Sequence, residues 1–179
     1  MGISLDELDL KILSILLKDA RKSYREIAGE LGVATSTVFN RVKALLRRGV
    51  VKGFVTLLDY AKLGYKLTAL ILIRVSRGKL TEVEREIAKF TNVTCVYDIT
   101  GEFDVAVIGK FRDTSELSSF VKRLLKMPYV ERTVTSIVLN IVKEDPCIPL
   151  LAVANYSRAE TSLNASSTAS SAEEAGKTL

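Results

Sequence analysis

The sequence contains no histidine and only two cysteines, Cys95 and Cys147, which are too far apart to form a CxxC pair. Because zinc sites are built mostly from histidine and closely spaced cysteine, we predict no metal site. Free cysteine is among the most buried residue types, so we expect Cys95, which lies in an apolar strand pattern, to be in the core. No acid–base pair, activated nucleophile or phosphate-binding loop stands out, and we predict neither catalytic residues, nor an enzyme activity, nor a bound cofactor.

Long apolar runs are also missing. The longest, around residues 67–75, is much shorter than the roughly 20 residues that a membrane-spanning helix needs. The N-terminus lacks the basic region and apolar core that are typical of a signal peptide. We therefore expect a cytoplasmic protein with no membrane partner.

Acidic residues are scarce in one part of the chain. The 179 residues carry a net charge of +5, and the isoelectric point is near 9.2. Much of the excess lies between Arg21 and Lys52, where eight lysines and arginines stand against two acidic residues, Glu26 and Glu30. A local excess of this kind indicates a surface that binds a polyanion.

The same basic stretch has the pattern of two helices joined by a tight turn. Ser23 and Glu26 have the spacing of a capping box, and Gly32 supplies the positive φ at which helices commonly end. The second helix is predicted to begin at Thr35 or Ser36 and to end before Gly49. With a preceding helix over residues 6–18, the pattern predicts a three-helix domain at residues 1–53. Apolar residues recur at helical spacing, as Ile27, Ala28 and Leu31 and then as Val38, Val42 and Leu45.

The second of these helices is predicted to bind double-stranded DNA, because its non-apolar face carries hydroxyl, amide and cationic groups that match base edges and phosphates. Ser36, Thr37 and Asn40 are the candidates for reading bases, and Arg41, Lys43, Arg47 and Arg48 are expected mainly to hold phosphates. The alternative is an ordinary three-helix bundle with a solvated basic face. The predicted DNA-contacting residues are Thr35, Ser36, Thr37, Asn40, Arg41, Lys43, Arg47 and Arg48.

The rest of the chain is predicted to form a second domain and a tail. Residues 54–64 read as a connector strand, or small wing, followed by a hinge. Residues 65–145 contain two β-α-β units, which predict a ferredoxin-like βαββαβ sheet of four antiparallel strands with both helices on one side. The fold class is therefore α+β. Residues 146–179, rich in Ala, Ser and Thr, read as a flexible low-complexity tail.

Boundaries inside the second domain follow from periodicity and caps. Its first helix is predicted to open with a capping box of Thr81 and Glu84, and its second helix at Asp113 with Glu116. The predicted strands are residues 66–75, 93–100, 103–111 and 130–142.

The first strand of the second domain is apolar on both faces, with Ile71 and Ile73 on one and Leu70 and Leu72 on the other. A sheet covered on one side should alternate apolar and polar residues. The uncovered face needs another cover, and burial at about 25 cal/mol per Å² favours a second copy of the chain. We therefore predict a homodimer. In the rival arrangement, residues 146–179 fold back over the sheet.

The run LDELDLKILSILLKDARKSYREIAGELGVATSTVFNRVKALLRRGVVKGF resembles the N-terminal domain of the leucine-responsive and asparagine-responsive regulators, the Lrp/AsnC family. At Ala34 the family usually has the serine that starts the recognition helix, so Thr35 is expected to take over the cap. The matching residues are Leu5-Asp6, Asp9, Ile12-Leu13, Asp19-Ala20-Arg21, Ile27-Ala28, Leu31-Gly32, Thr37-Val38, Arg41, Leu45, Gly49-Val50 and Gly53.

The second domain resembles the effector and assembly domain of this family through the turn Gly101–Asp104 and the run Thr133–Leu139. The resemblance implies dimers, then tetramers or octamers, and an amino-acid effector bound between subunits. Asp104 would hold the α-amino group, and the hydroxyls of Thr133, Thr135 and Ser136 the α-carboxylate. Alternatively, Gly101 and Asp104 only make a strand turn, and the hydroxyls fill ordinary sheet positions.

The resemblance implies a sequence-specific transcription regulator. Two alternatives remain open. One is an architectural protein that wraps DNA with little sequence preference. The other is an enzyme, since siroheme decarboxylases resemble the same two-domain arrangement. Histidine takes part in the chemistry proposed for that family and is absent here, which disfavours the enzyme.

Overall fold

A computed structural model describes residues 4–145 of the chain. These residues divide into two compact units, one of residues 4–56 together with Asp145, the other of residues 57–144. The predicted tail at residues 146–179, and its proposed return over the sheet, lie outside the described residues. The first unit contains α1 (Glu7–Lys18), α2 (Tyr24–Leu31) and α3 (Thr35–Arg47); the second contains β1 (Leu67–Val75), α4 (Leu80–Ile87), β2 (Val93–Asp98), β3 (Val105–Phe111), α5 (Thr114–Leu125) and β4 (Val130–Ile137).

The three helices of the first unit share one apolar core. α2 begins with the predicted capping box, in which the Ser23 amide donates to Glu26 Oε2 at 2.8 Å and the Glu26 amide donates to Ser23 Oγ at 3.3 Å. The hydrogen bond from the Ser23 hydroxyl lowers the pKa of the Glu26 carboxyl. α2 ends at Gly32, which has a φ of +66°. The buried core residues are Ile12, Leu16, Ile27, Ala28, Val38 and Val42.

α3 starts without the predicted cap. Ala34 occupies the N-cap position and makes no side-chain cap hydrogen bond, while Thr35 is already the first helical residue. The expectation that Thr35 takes over the cap is therefore wrong, because a side chain inside the first turn cannot take the N-cap position. The predicted end at Gly49 is confirmed. Gly49 has a φ of +70°, and the Val50 amide donates back to the Leu45 carbonyl at 3.0 Å, as in a Schellman motif.

The connector contains no strand, contrary to prediction. Residues 52–66 form no β-strand, and residues 60–64 form a turn in which the Tyr65 amide donates to the Tyr60 carbonyl at 2.9 Å. A strand needs a hydrogen-bonded neighbour, and within the described chain the connector has none. Its apolar side chains are exposed, Val55 at 82% and Leu57 at 71%.

The second unit is a four-stranded antiparallel sheet with strand order β2-β3-β1-β4, the ferredoxin-like arrangement. Both helices pack on the same side. Val83 and Ile87 of α4 and Phe120 of α5 belong to one cluster with Ile71 and Ile73 of β1. Because directly opposite residues in an antiparallel pair lie on the same face, the register also defines a helix-free face. Its residues are Thr68, Leu70, Leu72, Cys95, Tyr97, Ala106, Ile108, Lys110, Val134 and Ser136.

Some predicted details of the second unit are wrong. The Thr81–Glu84 capping box does not form, because α4 begins at Leu80 after a turn at Gly78 and places Thr81 inside its first turn. The predicted cap at Asp113 is confirmed, since its carboxylate accepts from the Glu116 amide at 2.8 Å. β4 stops at Ile137 rather than at residue 142, close to the start of its partner β1. Cys95 is half-buried on the helix-free face and lies outside the core.

Candidate nucleic-acid interface

α3 separates a buried apolar stripe from an exposed polar and cationic face. Val38, Val42 and Leu45 are fully buried. The opposite side of the helix carries four exposed residues, which we call the recognition face. They are Ser36, Asn40, Lys43 and Arg47. Of the other predicted DNA-contacting residues, Thr35 and Arg48 are exposed, and Thr37 and Arg41 are half-buried at its flank.

The first turn of α3 adds backbone donors to this face. The early amide groups of a helix point out of its N-terminus and carry its positive dipole end. The side chain of Ala34 has no oxygen with which to cap them, although the Thr37 amide donates to the Ala34 carbonyl at 3.0 Å. The amides of Thr35 and Ser36 can therefore donate to a phosphate oxygen, as is common where helices meet nucleic acids.

The eight cations between Arg21 and Lys52 differ in their partners. Arg21 pairs with Asp19 at 3.1 Å, Lys22 with Glu30, Arg41 with Asp6 and Asp9, and Arg48 donates to the Ser4 carbonyl at 2.5 Å. Internal partners therefore occupy half of the predicted basic surface. Within residues 4–145, no hydrogen bond or ion pair is formed by the side chains of Arg25, Lys43, Arg47 and Lys52.

Arg41 joins α3 to the start of α1. Asp6 caps α1 with Oδ1, which accepts from the Asp9 amide at 2.8 Å, and its Oδ2 binds Arg41. Arg41 also lies 3.3 Å from the almost fully buried Asp9 carboxylate. The hydrogen bond from the Asp9 amide, with that from Arg41, lowers the pKa of Asp6. These contacts fix the orientation of α3. The Arg41 guanidinium, which was predicted to hold phosphate, is therefore already paired with two carboxylates of its own chain.

Asp6→Asn should lower the melting temperature at pH 7 by about 2–5 °C, since asparagine keeps the cap but loses the charge that faces Arg41. A carboxyl group with a lowered folded-state pKa stabilises the protein above its unfolded pKa, near 3.8, and this contribution is lost as the pH falls through the folded-state value. The difference between wild type and variant should therefore shrink below about pH 4. Thermal melts between pH 7 and pH 2.5 measure it.

The control is Arg41→Met, which removes the guanidinium that pairs with the Asp6 carboxylate. It should give a larger loss than Asp6→Asn at pH 7, because it also leaves the buried Asp9 carboxylate without its partner, and adding Asp6→Asn to it should change little more. An Asp6→Asn effect that is equally large at every pH would contradict the ion-pair account.

The predicted effector turn is held by hydrogen bonds of its own. Asp104 Oδ2 accepts from the Val75 amide at 2.8 Å, at the point where the β1–β4 register shifts. The Asp104 amide donates to the Ile73 carbonyl at 3.0 Å, and Gly101 has a φ of +124°. Arg132 donates to Glu102 Oε1 at 2.8 Å. These contacts match the alternative in which Gly101 and Asp104 shape a strand turn.

The sheet separates the other predicted ligand residues. Thr133 and Thr135 stand opposite the buried Ile73 and Ile71, whereas Ser136 stands opposite Leu70 on the helix-free face. The three hydroxyls therefore do not converge within one chain. A cavity of about 370 Å³ lies elsewhere in this unit, between α4 and the turn before β4, and none of the predicted ligand residues lines it. Its lining residues are Glu82, Val83, Glu86, Phe90, Met127, Pro128 and Tyr129.

No role in the interface was predicted from the sequence for Asp6, Asp9 or Phe39, which the structure places on or against α3. Asp6 and Asp9 have capping-box spacing, which could have shown the start of α1, but not their pairing with Arg41 more than 30 positions later. Phe39 also belongs to the exposed part of α3, although the apolar pattern gave it no role.

Comparison with known proteins decides the family. A winged helix-turn-helix DNA-binding model matches residues 5–52, and the Lrp/AsnC ligand binding domain matches residues 68–148. A Pyrococcus furiosus protein, named as an uncharacterized HTH-type transcriptional regulator, is 52% identical over 143 residues, 80% of this chain and 97% of the relative. The chain belongs to the Lrp/AsnC family. This Lrp/AsnC protein is a DNA-binding transcription regulator with the ligand-binding domain of the family.

Other relatives of this Lrp/AsnC protein agree in sequence and fold. The HTH-type transcriptional regulator FL11 of Pyrococcus horikoshii is 38% identical over 150 residues, 84% of this chain and 99% of FL11. A Neisseria meningitidis transcriptional regulator in complex with L-Met superposes with a TM-score of 0.76 at 27% identity, covering 84% of this chain and 99% of the other. AsnC of Escherichia coli gives 0.76 at 25%, covering 82% and 99%.

Residues 4–145 contain no group of three or more His, Cys, Asp or Glu side chains arranged to hold a metal ion. None of the helices in this part of the chain is long and apolar enough to cross a membrane.

Proposed function

We propose that this Lrp/AsnC regulator binds specific DNA sequences as a homodimer, with one α3 helix from each copy in successive major grooves, and that an amino acid modulates it. The grooves would lie about 34 Å apart on a palindromic site. The division of labour follows the two units, with residues 1–53 binding DNA and residues 65–145 assembling and sensing.

The observation that carries this proposal is the recognition face of α3. Lys43 and Arg47 have no internal ion pair within residues 4–145, and Ser36 and Asn40 are exposed beside them. Cations of this kind hold phosphates, while hydroxyl and amide groups bind base edges. Arg41 and Arg48 are assigned to positioning α3, because their guanidinium groups contact Asp6, Asp9 and the Ser4 carbonyl.

The helix-free face supports the homodimer. Leu70 is 37% exposed and Val134 39%, while Leu72 and Ile108 are half-buried. No helix of the second unit packs on this side of the sheet. A second copy would bury these side chains at about 25 cal/mol per Å². The exposed apolar side chains of the connector add further surface that two copies could cover.

The proposal is tested against the architectural alternative by selecting binding sites from random DNA. Competition with unrelated duplex then measures the ratio of the two affinities. A specific regulator should bind the selected site roughly 1,000-fold or more tightly than unrelated duplex at the same salt concentration. A ratio near one would favour the architectural role. Failure to bind any duplex would contradict both.

The amino-acid effector is proposed because the chain carries the Lrp/AsnC ligand binding domain and because the Neisseria meningitidis relative is a complex with L-Met. Thr133 and Thr135 lie on one face of the sheet and Ser136 lies on the other. Together with Asp104, they cannot form one closed site within a single chain. A site between subunits would bring together groups that one copy keeps apart. Effector binding would thereby be coupled to assembly.

Asp104→Asn separates the two roles of this carboxylate. The amide oxygen can still accept from the Val75 amide, so folding should be retained, whereas Asp104→Ala should lower the free energy of unfolding by about 1–2 kcal/mol. If the charge of Asp104 holds an α-amino group, Asp104→Asn should weaken amino-acid binding by about tenfold or more. Calorimetric titration with L-methionine and the other common amino acids measures this. Unchanged affinity in a folded Asp104→Asn protein would remove Asp104 from the site.

A further inference from the structure

Phe39 is an exposed aromatic residue of α3 that lies beside the recognition face. It is 47% exposed, although α3 has a complete buried stripe at Val38, Val42 and Leu45. At about 100° per residue, Phe39 lies a quarter turn from that stripe and next to Lys43, which follows one helical turn later. The hydrophobic core of the first unit therefore does not explain why a large aromatic side chain stands here.

The Phe39 ring is held in place from two sides. Tyr24, at the start of α2, meets it edge to face with ring centroids 6.0 Å apart and an angle of 66°. The Lys43 ammonium lies 5.8 Å from the ring centroid. A ring fixed in this way loses little conformational freedom on binding, which favours its use as a contact.

We infer that Phe39 reads the 5-methyl group of a thymine in the major groove. This rests on the proposed function, in which α3 enters the groove. The thymine methyl is the apolar feature of the major-groove edge, and phenylalanine is one of the side chains that contact it. Phe39 is the fifth residue of α3, in the N-terminal half that contacts base edges in helix-turn-helix proteins.

The neighbouring residue Asn40 points to the same base pair type. Asparagine can bind adenine through two hydrogen bonds, to N6 and N7. An amide that selects adenine and a ring that selects the thymine methyl both favour an A·T pair. Two adjacent residues of α3 would thus contribute to one preference, one by hydrogen bonding and one by apolar contact. Lys43, beside the ring, would hold a phosphate.

Uracil provides the test, because it differs from thymine in DNA only by the missing methyl group. In the site selected by the full-length protein, each thymine is replaced in turn by deoxyuridine and the affinity is measured. At one thymine of each half-site, the wild-type protein should lose about three- to fivefold in affinity, as expected for the loss of one buried methyl group. With Phe39→Ala, the same replacement should change affinity by less than about 1.5-fold.

The control variant is Leu46→Ala, which removes another exposed apolar side chain two turns further along the same flank of α3. It should keep the deoxyuridine effect. If Phe39→Ala does not fold, Phe39→Gln, which keeps a long side chain beside Tyr24 but lacks the apolar ring, takes its place and should likewise lose the deoxyuridine effect. A wild type that binds its site yet tolerates every deoxyuridine, or an effect that persists in Phe39→Ala, would overturn the role of Phe39 and leave the proposed function intact. Absence of duplex binding by all proteins would instead contradict the proposed function.

Discussion

Replacing Lys43 and Arg47 by alanine should lower DNA affinity by about 100- to 1,000-fold at 0.1 M salt, since a homodimer loses four cations at once. The slope of log affinity against log salt should fall by about 3.6, because each phosphate contact contributes about 0.9. A monomer on DNA would lose only about 1.8. Fluorescence anisotropy with a labelled duplex across a salt series measures both quantities.

The matched control is Lys122→Ala with Lys126→Ala, which makes the same change in net charge in the last turn of α5 and at its C-cap. It should leave the affinity within about threefold and the slope nearly unchanged, because general attraction between a basic protein and DNA is weaker than local contact. Equal losses in the two double variants would show that net charge, and not the recognition face, drives binding.

Leu70→Glu should convert the protein to a monomer. The side chain is 37% exposed within one chain, so glutamate is tolerated there by the fold. In the proposed dimer it would bury an unpaired charge between two sheets, which should raise the dimer dissociation constant by about 100-fold or more. Affinity for a palindromic site should fall as well, since the two α3 helices are no longer linked. Sedimentation velocity over a concentration series measures the assembly.

Leu125→Glu is the control for this substitution. Leu125 is 50% exposed on α5, on the side of the sheet that the helices cover, and lies outside the helix-free face. The variant should keep the oligomeric state of the wild type. If Leu70→Glu is folded and still dimeric, the two copies do not meet through this face.

Local pattern predicted much of the fold. Several features depend only on residues a few positions apart in the chain, and all of them appear in the structure. They are the apolar stripe of Val38, Val42 and Leu45, the capping box at Ser23 and the left-handed glycines at positions 32 and 49. Strand alternation in β1 likewise indicated two apolar faces. Interactions of short range leave a mark in the sequence that can be read without a partner.

Other features depend on residues far apart in the chain. The connector has a β-like composition but no neighbouring strand to pair with among residues 4–145. Arg41 was predicted at phosphate, whereas its guanidinium meets Asp6 and Asp9, which no local pattern connects to it. Strand alternation should have shown that Ser136 lies on the other face from Thr135. The candidate ligand residues instead follow from the resemblance to the family and from their hydroxyl groups, and neither of these specifies a face of the sheet.

Hydroxyl-radical footprinting on the selected site tests the central claim most directly. Two α3 helices on one dimer should protect two patches centred about 10 base pairs apart, on one side of the duplex, with reduced protection in Leu70→Glu. A single protected patch that is unchanged in Leu70→Glu, or uniform protection that ignores sequence, would contradict the account.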